Sequence, residues 1–250
     1  MTYKRSLTLL GIASAAFVAL LAGEILLAGS RTYLIDVDFT IDRTVGPIQR
    51  DADPIELRVL GDSTVAGVGA PDNDGALPML LAARVVERTG RPVHVVGLGL
   101  SGARTADVRE QQLDRVGQAD VLVIVIGSND VTHVLPPWQM TAHTAALLRE
   151  ARATGMPVVL GGIPRFANVG ALTPPLREII DAYAGVLRER QRAVANDAEG
   201  VAFVDIAALA SPRFLGRPES MSSDEFHPSP VGYGFWADAL TPAVVAAVTG

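Results

Sequence analysis

The stretch ADVLVIVIG, residues 119–127, constrains the fold more than any other feature of the chain. It is a continuous apolar run rich in β-branched residues, and it lacks the apolar–polar alternation of a strand with one wet face. Such a run is typical of a strand buried on both faces, which occurs in parallel sheets covered by helices. The sequence therefore predicts an α/β protein.

Strand-like and helix-like segments alternate five times along the chain. This order implies a parallel sheet flanked by helices on its two faces, with right-handed crossovers. The predicted strands are 55–60, 93–100, 119–127, 157–163 and 201–206, and the predicted helices are 77–90, 106–116, 138–154, 176–197 and 230–248.

Residues 6–30 differ from the rest of the chain, because the only charged residue among them is Glu24. Lys4 and Arg5 precede this apolar segment. Its length is enough for the roughly 20 helical residues that cross a bilayer core. We therefore expect an N-terminal hydrophobic helix that acts as a signal anchor and binds the membrane.

Two alternatives to an anchor remain for residues 1–30. One is a cleaved signal peptide with its cleavage site among the small residues near 28–30, and the other is a buried core helix. The basic residues ahead of the apolar run place residues 31–250 outside the cytoplasm, either anchored or, after cleavage, secreted. Residues 31–54 alternate weakly and form a stalk or an edge strand, ahead of a domain expected at 55–250.

The composition excludes several classes of site and partner. The chain of 250 residues has no cysteine, which excludes a disulfide scaffold, a thiolate nucleophile and a cysteine-ligated zinc site. Four histidines leave little scope for a histidine-rich metal site. A net charge of −6 without a basic cluster argues against nucleic acid as a partner. We expect no metal and no organic cofactor, and the oligomeric state is left open.

Polar residues follow the predicted strands, at the edge of the sheet where α/β proteins hold their sites. Ser63 follows the first strand, in Gly-Asp-Ser-Thr. His227 is the best base in the chain, because imidazole titrates near neutral pH. Asp224 lies three residues earlier and can accept the ring N–H. Serine, base and orienting carboxylate together favour acyl transfer.

Acyl transfer also needs donors for the oxyanion that forms on the substrate. The backbone N–H groups of Ser63 and Gly102 and the side-chain amide of Asn129 can supply three. Glycine at 102 leaves room for a substrate beside the backbone. Asp62 and Asp130 are expected to brace their turns by hydrogen bonds and not to react.

The chain resembles the SGNH hydrolases, the GDSL-type lipase/esterase superfamily. The resemblance implies a flavodoxin-like three-layer α/β/α sandwich with a five-stranded parallel sheet, a Ser63–His227–Asp224 triad, and an oxyanion hole completed by Gly102 and Asn129. Many members carry asparagine shortly before the second-block glycine, where this chain has Gly97 and Gly99. The blocks that carry the resemblance are GDS at 61–63, SGART at 101–105, GSND at 127–130 and DEFHP at 224–228.

The resulting hypothesis is a serine ester hydrolase that acts on a small-molecule, lipid or glycan ester. One alternative is a cell-envelope acyltransferase or O-acetylesterase that uses the same triad, and another is a non-catalytic binding module. Loops after the third and fourth predicted strands should hang over the site. Their residues Leu135, Trp138 and Phe166 are expected to form an apolar wall for an acyl chain, the alternative being ordinary loop packing.

Overall fold

A computed structural model describes residues 2–34, 41–47 and 53–250 of the chain, with side chains from residue 11 onward. The strands are β1 Ile41–Val45, β2 Ile55–Gly61, β3 Val93–Gly97, β4 Val121–Val125, β5 Val158–Gly161 and β6 Val201–Val204. The α-helices are α1 Thr2–Ser30, α2 Ser63–Ala66, α3 Leu77–Thr89, α4 Thr105–Gln111, α5 Ser128–Thr132, α6 Pro137–Ala153, α7 Leu176–Asn196, α8 Ile206–Leu209 and α9 Pro230–Thr249.

The strands form one sheet in the order β1-β3-β2-β4-β5-β6. Strands β2 to β6 are parallel, which confirms the predicted parallel sheet and its five strands. The sheet has a sixth strand, because β1 pairs antiparallel with β3 at the edge. For residues 31–54 the sequence predicts either a stalk or an edge strand, and residues 41–45 form an edge strand. Residues 35–40 and 48–52 lie outside the described residues.

The run 119–127 is apolar throughout because β4, which lies within it, is buried on both faces of the sheet. Val121 and Val123 point into the core beneath α3 and α9, whereas Leu122 and Ile124 point into the core beneath α4, α6 and α7. All four side chains are fully buried. The result is the expected three-layer sandwich, in which both sheet faces are covered by helices.

The sheet order creates a crevice at its carboxyl edge. The chain leaves β2 to pair β3 on one side and later returns to pair β4 on the other side of β2. Ligands of open α/β sheets bind at such a reversal, where loops diverge above and below the sheet. Ser63 begins α2 directly after β2, and Asn129 lies in α5 directly after β4.

Two described helices are long and apolar enough to cross a membrane, but their environments differ. The window Gly11–Ser30 of α1 is 6% buried, whereas α9 is 44% buried because it packs on the sheet. The exposed length of α1 argues against the core-helix interpretation of residues 1–30. Among the side chains that the structure describes in α1, those of its C-terminal turns contact the rest of the protein, and Leu21 and Ala28 pack against a buried apolar cluster there.

Candidate active site

Ser63, His227 and Asp224 form a continuous chain of hydrogen bonds. The Oγ of Ser63 lies 3.1 Å from Nε2 of His227, and Nδ1 of the same ring lies 2.7 Å from Oδ2 of Asp224. Ser63 is half-buried, while the histidine and the aspartate are buried. This geometry allows the imidazole to take a proton from the hydroxyl while the carboxylate fixes the ring orientation.

The carboxylate of Asp224 accepts four further hydrogen bonds. Its Oδ1 accepts from Ser222 Oγ at 2.7 Å and from the backbone N–H groups of Phe226 and His227 at 2.9 Å each. Its Oδ2 accepts from the backbone N–H of Leu34 at 3.1 Å. Burial alone would raise the pKa of Asp224, but the hydrogen bonds outweigh burial and hold this pKa well below its usual range. The group is therefore ionised at every pH at which His227 can act as a base.

The predicted oxyanion donors lie beside this triad. Gly102 and the side chain of Asn129 line the same cavity as Ser63, and Nδ2 of Asn129 also donates to the carbonyl of Ala103 at 2.9 Å. That bond fixes the amide and leaves its second N–H for a ligand. The φ of Gly102 is +77°, and a Cβ there would meet no heavy atom within 4 Å. Glycine is therefore favoured by the left-handed backbone and not by a neighbouring protein atom.

Gly99 has a role that motif reasoning missed. A Cβ on Gly99 would lie 2.1 Å from the backbone nitrogen of Ala66 and 2.5 Å from the carbonyl carbon of Val65. Both of those residues belong to α2, the short helix that begins at Ser63. The absence of a side chain at 99 thus lets the loop after β3 press directly against the helix that carries the serine.

Two buried glutamines hold the strand ends from which the site is built. The side chain of Gln112 accepts from the N–H of Gly61 at 3.0 Å and donates to the carbonyl of Gly61 at 2.8 Å. Gln191 of α7 donates to Ile126 O at 3.0 Å and accepts from Ile163 N at 3.1 Å. Sequence reasoning missed both, since a glutamine on an amphipathic helix is usually exposed.

Asp62 and Asp130 make the bracing hydrogen bonds that were expected of them. Oδ1 of Asp62 accepts from the N–H of Thr64 at 3.0 Å and from its hydroxyl at 2.8 Å, which caps α2. Oδ2 of Asp130 accepts from the N–H and hydroxyl of Thr105 at 3.0 and 2.9 Å. Burial raises the pKa of both carboxyls, and the threonine bonds offset part of this effect.

Two cavities meet at Ser63. The inner cavity, of about 50 Å³, lies among loops of the sheet domain, the name used here for residues 53–250. The outer cavity, of about 710 Å³, lies between those loops and the end of α1. Both are lined by Ser63, Asn129, Phe226 and His227. The inner cavity is also bounded by Phe166, Val169, Phe214 and Trp236, and the outer cavity by Ile25, Ala28, Gly29, Leu172, Leu176 and Ile180.

The three residues predicted to form an apolar wall have different positions. Phe166 lines the inner cavity. Leu135 lines neither cavity, because its side chain packs in a buried apolar cluster and its carbonyl accepts a hydrogen bond from Tyr183. Trp138 also lines neither cavity, because it lies in the first turn of α6 with its side chain facing solvent and is 70% exposed. The sequence predicts which residues between the strands are apolar, but it does not predict which of them face a cavity.

Comparison with known proteins extends over most of this fold. Residues 59–235 match the family described as GDSL-like Lipase/Acylhydrolase. The GDSL-like esterase Rv1075c of Mycobacterium tuberculosis is 31% identical over 220 residues, which are 85% of this chain and 70% of that protein. An arylesterase of Vibrio mimicus is 26% identical over 192 residues, covering 76% of this chain and 88% of that protein.

A solved structure supports the same relationship. The crystal structure of TesA superposes with a TM-score of 0.62 at 25% sequence identity, covering 77% of this chain and 99% of that chain. The family match covers the blocks at 61–63, 101–105, 127–130 and 224–228, which include Ser63, Asn129 and His227 at the junction of the two cavities. The chain therefore belongs to the GDSL-like lipase/acylhydrolase family and is a carboxylic ester hydrolase.

Proposed function

We propose that the protein hydrolyses acyl esters through a Ser63–His227–Asp224 triad. Ser63 Oγ attacks the ester carbonyl while His227 Nε2 takes the hydroxyl proton, and Asp224 stabilises the imidazolium that forms. His227 then gives this proton to the departing alcohol. A water molecule then attacks the acyl carbon and gives a proton to His227; the bond from that carbon to Ser63 Oγ breaks, the acid leaves, and the ring returns the proton to the serine. The hydrogen-bonded chain from Ser63 Oγ to Asp224 Oδ2 is the observation that carries this proposal.

Developing negative charge on the carbonyl oxygen is stabilised by the N–H groups of Ser63 and Gly102 and by the amide of Asn129. Removal of one such donor commonly costs about 100- to 1000-fold in kcat. Support for this assignment comes from their shared position on the outer cavity and from the bond to Ala103 that orients Asn129. No metal or organic cofactor enters the mechanism.

The enzyme acts outside the cytoplasm, anchored by α1. The basic residues Lys4 and Arg5 precede the apolar segment, which favours a cytoplasmic N-terminus. Helix α1 begins at Thr2, so that the part of it that precedes Glu24 is long enough for a bilayer core, and the stretch Gly11–Ser30 is almost wholly uncovered by the protein. An exposed apolar helix of this length is stable only with lipid or another apolar partner around it.

The full-length chain in lipid nanodiscs allows the direct test. We expect a fluorophosphonate probe to label it and p-nitrophenyl esters to be hydrolysed, and we expect both activities to vanish in Ser63→Ala. Ser223→Ala, at an exposed serine of the loop that carries Asp224 and His227, is the matched control and should retain both. A folded wild-type protein that is neither labelled nor active would contradict the triad.

A further inference from the structure

The only charged residue of the apolar segment is buried at a contact with the sheet domain. Glu24 is 8% exposed, and its Oε2 accepts the backbone N–H of Leu176 at 3.0 Å. Leu176 is the first residue of α7, and the first N–H groups of a helix have no partner within it. This hydrogen bond, which joins α1 to the first turn of α7, explains why a charged residue stands in the apolar segment.

The segment after α1 continues this contact onto the loop that carries Asp224 and His227. Arg31 donates to Oε2 of Glu225 at 2.8 Å. The ring of Tyr33 meets the ring of Phe226 edge-on, with centroids 5.1 Å apart. The Tyr33 hydroxyl also donates to the carbonyl of Ala28 at 2.8 Å, so the segment folds back on α1.

Leu34 makes the most direct link to the chemistry. Its N–H donates to Oδ2 of Asp224, and the same oxygen accepts the bond from His227 Nδ1. A donor at this oxygen helps to fix the carboxylate that orients the imidazole. Leu34 is thus a positioning residue, supplied by the N-terminal region.

The same region forms one side of the outer cavity. Ile25, Ala28 and Gly29 of α1 face the reacting groups of Ser63 and His227 across a space of about 710 Å³. This lining is mainly apolar, and it leads from the serine to the helix that we assign to the membrane. Leu26 and Leu27, in the same turns, are exposed beside the cavity.

We infer that the end of α1 and residues 31–34 belong to the active site, and that the enzyme acts uncleaved on membrane esters whose long acyl chain enters the outer cavity along α1. The inference rests on the proposed esterase mechanism and adds the substrate class and the route of entry. Cleavage near residues 28–30 would remove the bond from Glu24 and part of this wall. Helix α1 then forms part of the active site and also holds the enzyme at the membrane.

A cavity-filling substitution tests this inference. Gly29 lines the outer cavity and a Cβ there would meet no heavy atom within 4 Å, so Gly29→Leu adds a side chain at the cavity wall without a clash at its Cβ. We expect the ratio of kcat/KM for dodecanoyl to acetyl p-nitrophenyl esters to fall by about tenfold, since each displaced methylene of the chain weakens binding severalfold. Gly23→Leu is the matched control, because Gly23 lies in the same helix, is equally open and does not line the cavity.

The wild-type and both variants are compared as full chains in nanodiscs, with fluorophosphonate labelling measured in parallel. A fall of the ratio in Gly29→Leu alone supports the inference. An unchanged ratio with labelling intact overturns it and leaves the esterase mechanism standing. Loss of labelling in the wild-type protein overturns both.

The state of the N-terminus gives a second readout. We expect the intact mass of the protein purified from membranes of its expression host to include residues 24–34. An active mature chain that begins after Ser30 and keeps the wild-type chain-length ratio would overturn the inference.

Discussion

The two cavities at Ser63 differ in size and in the origin of their walls. The inner cavity, of about 50 Å³, is enclosed by loops of the sheet domain and can hold only a small group. The outer cavity, of about 710 Å³, has one wall formed by α1, the helix at the N-terminal end of the sequence. In the proposed mechanism the chemistry at Ser63 is common to both cavities, whereas among the described residues the space for a long chain lies on the side of α1.

This difference separates two kinds of substitution. A change in the triad or in the strand ends should lower turnover of all esters alike, because every substrate meets the same serine. A change in the part of α1 that lines the outer cavity should act mainly on long-chain esters. The chain-length ratio of kcat/KM therefore distinguishes the shared machinery from the outer wall.

The largest effect is expected for Asp224→Asn, which removes the ionised acceptor of His227. We expect kcat to fall by about a thousandfold or more for acetyl and dodecanoyl esters alike, because the imidazole loses its orientation and its counter-charge. Steady-state kinetics of the full chain measure this change. Asp114→Asn, at an exposed position, is the control; a strong dependence of the loss on chain length would contradict a shared triad.

Gln112→Leu should lower stability more than specificity. It leaves the buried N–H of Gly61 unpaired, at a cost of about 1–3 kcal/mol, while the carbonyl of Gly61 keeps the bond from the N–H of Leu100. We expect the melting temperature to fall by several degrees while the chain-length ratio stays constant. Gln111→Leu, at the exposed neighbouring position, should change stability by less than about 0.5 kcal/mol. Equal melting temperatures for the two variants would show that Gln112 does not hold the strand end.

Arg31→Ala sharpens the comparison at the outer wall. The ion pair with Glu225 is partly exposed and contributes less than about 1 kcal/mol. We expect a small fall in the long-chain ratio, weaker at high salt because salt screens exposed charges. Arg43→Ala breaks an exposed pair with Asp74 at the sheet edge and should leave the ratio unchanged. A larger loss in the Arg43 variant would contradict the assignment of the wall to residues 31–34.

The smallest effect concerns β1, the second place where the N-terminal region joins the domain. Hydrogen bonds to Asp42 and Glu56 raise the pKa of His94, and burial offsets part of this rise. The protonated ring therefore stabilises the fold fully below about pH 6.5, and this contribution is lost as the pH rises through the higher folded-state pKa.

We therefore expect the melting temperature of the wild type to fall more between pH 6 and 8 than that of His94→Gln. The difference should correspond to less than about 1 kcal/mol, since the group is partly exposed. Thermal melts at several pH values measure it. Because β1 lies away from both cavities, a change in the chain-length ratio of this variant would show that the two N-terminal contacts are coupled.

The parts of the site that lie in short sequence blocks were predictable. The apolar runs predict the strands, and the polar residues at strand ends predict Ser63 and Asn129, whereas Asp224 is predicted by its spacing of three residues from His227. Parallel strands bring such residues together whatever their separation in sequence. The edge strand β1 gave only a weak alternation, since three of its five residues are exposed.

The parts that depend on backbone groups and long-range docking were not predictable. The bond from Leu34 to Asp224 uses a main-chain N–H, for which no side chain gives a signal. Glu24 lies against α7, and its place in an apolar segment does not predict this contact. Phe166 lines a cavity and Trp138 faces solvent, and this difference depends on how each segment packs against the rest of the protein, which its composition does not predict.

A crystal structure of the full chain inhibited by p-nitrophenyl dodecylphosphonate tests the central claim most directly. The phosphonate mimics the tetrahedral intermediate and keeps the alkyl chain in place. We expect phosphorus bonded to Ser63 Oγ, a phosphonyl oxygen at Gly102 N and Asn129 Nδ2, and the alkyl chain against Ala28 and Gly29. An adduct at another residue, or an alkyl chain directed away from α1, would contradict the account.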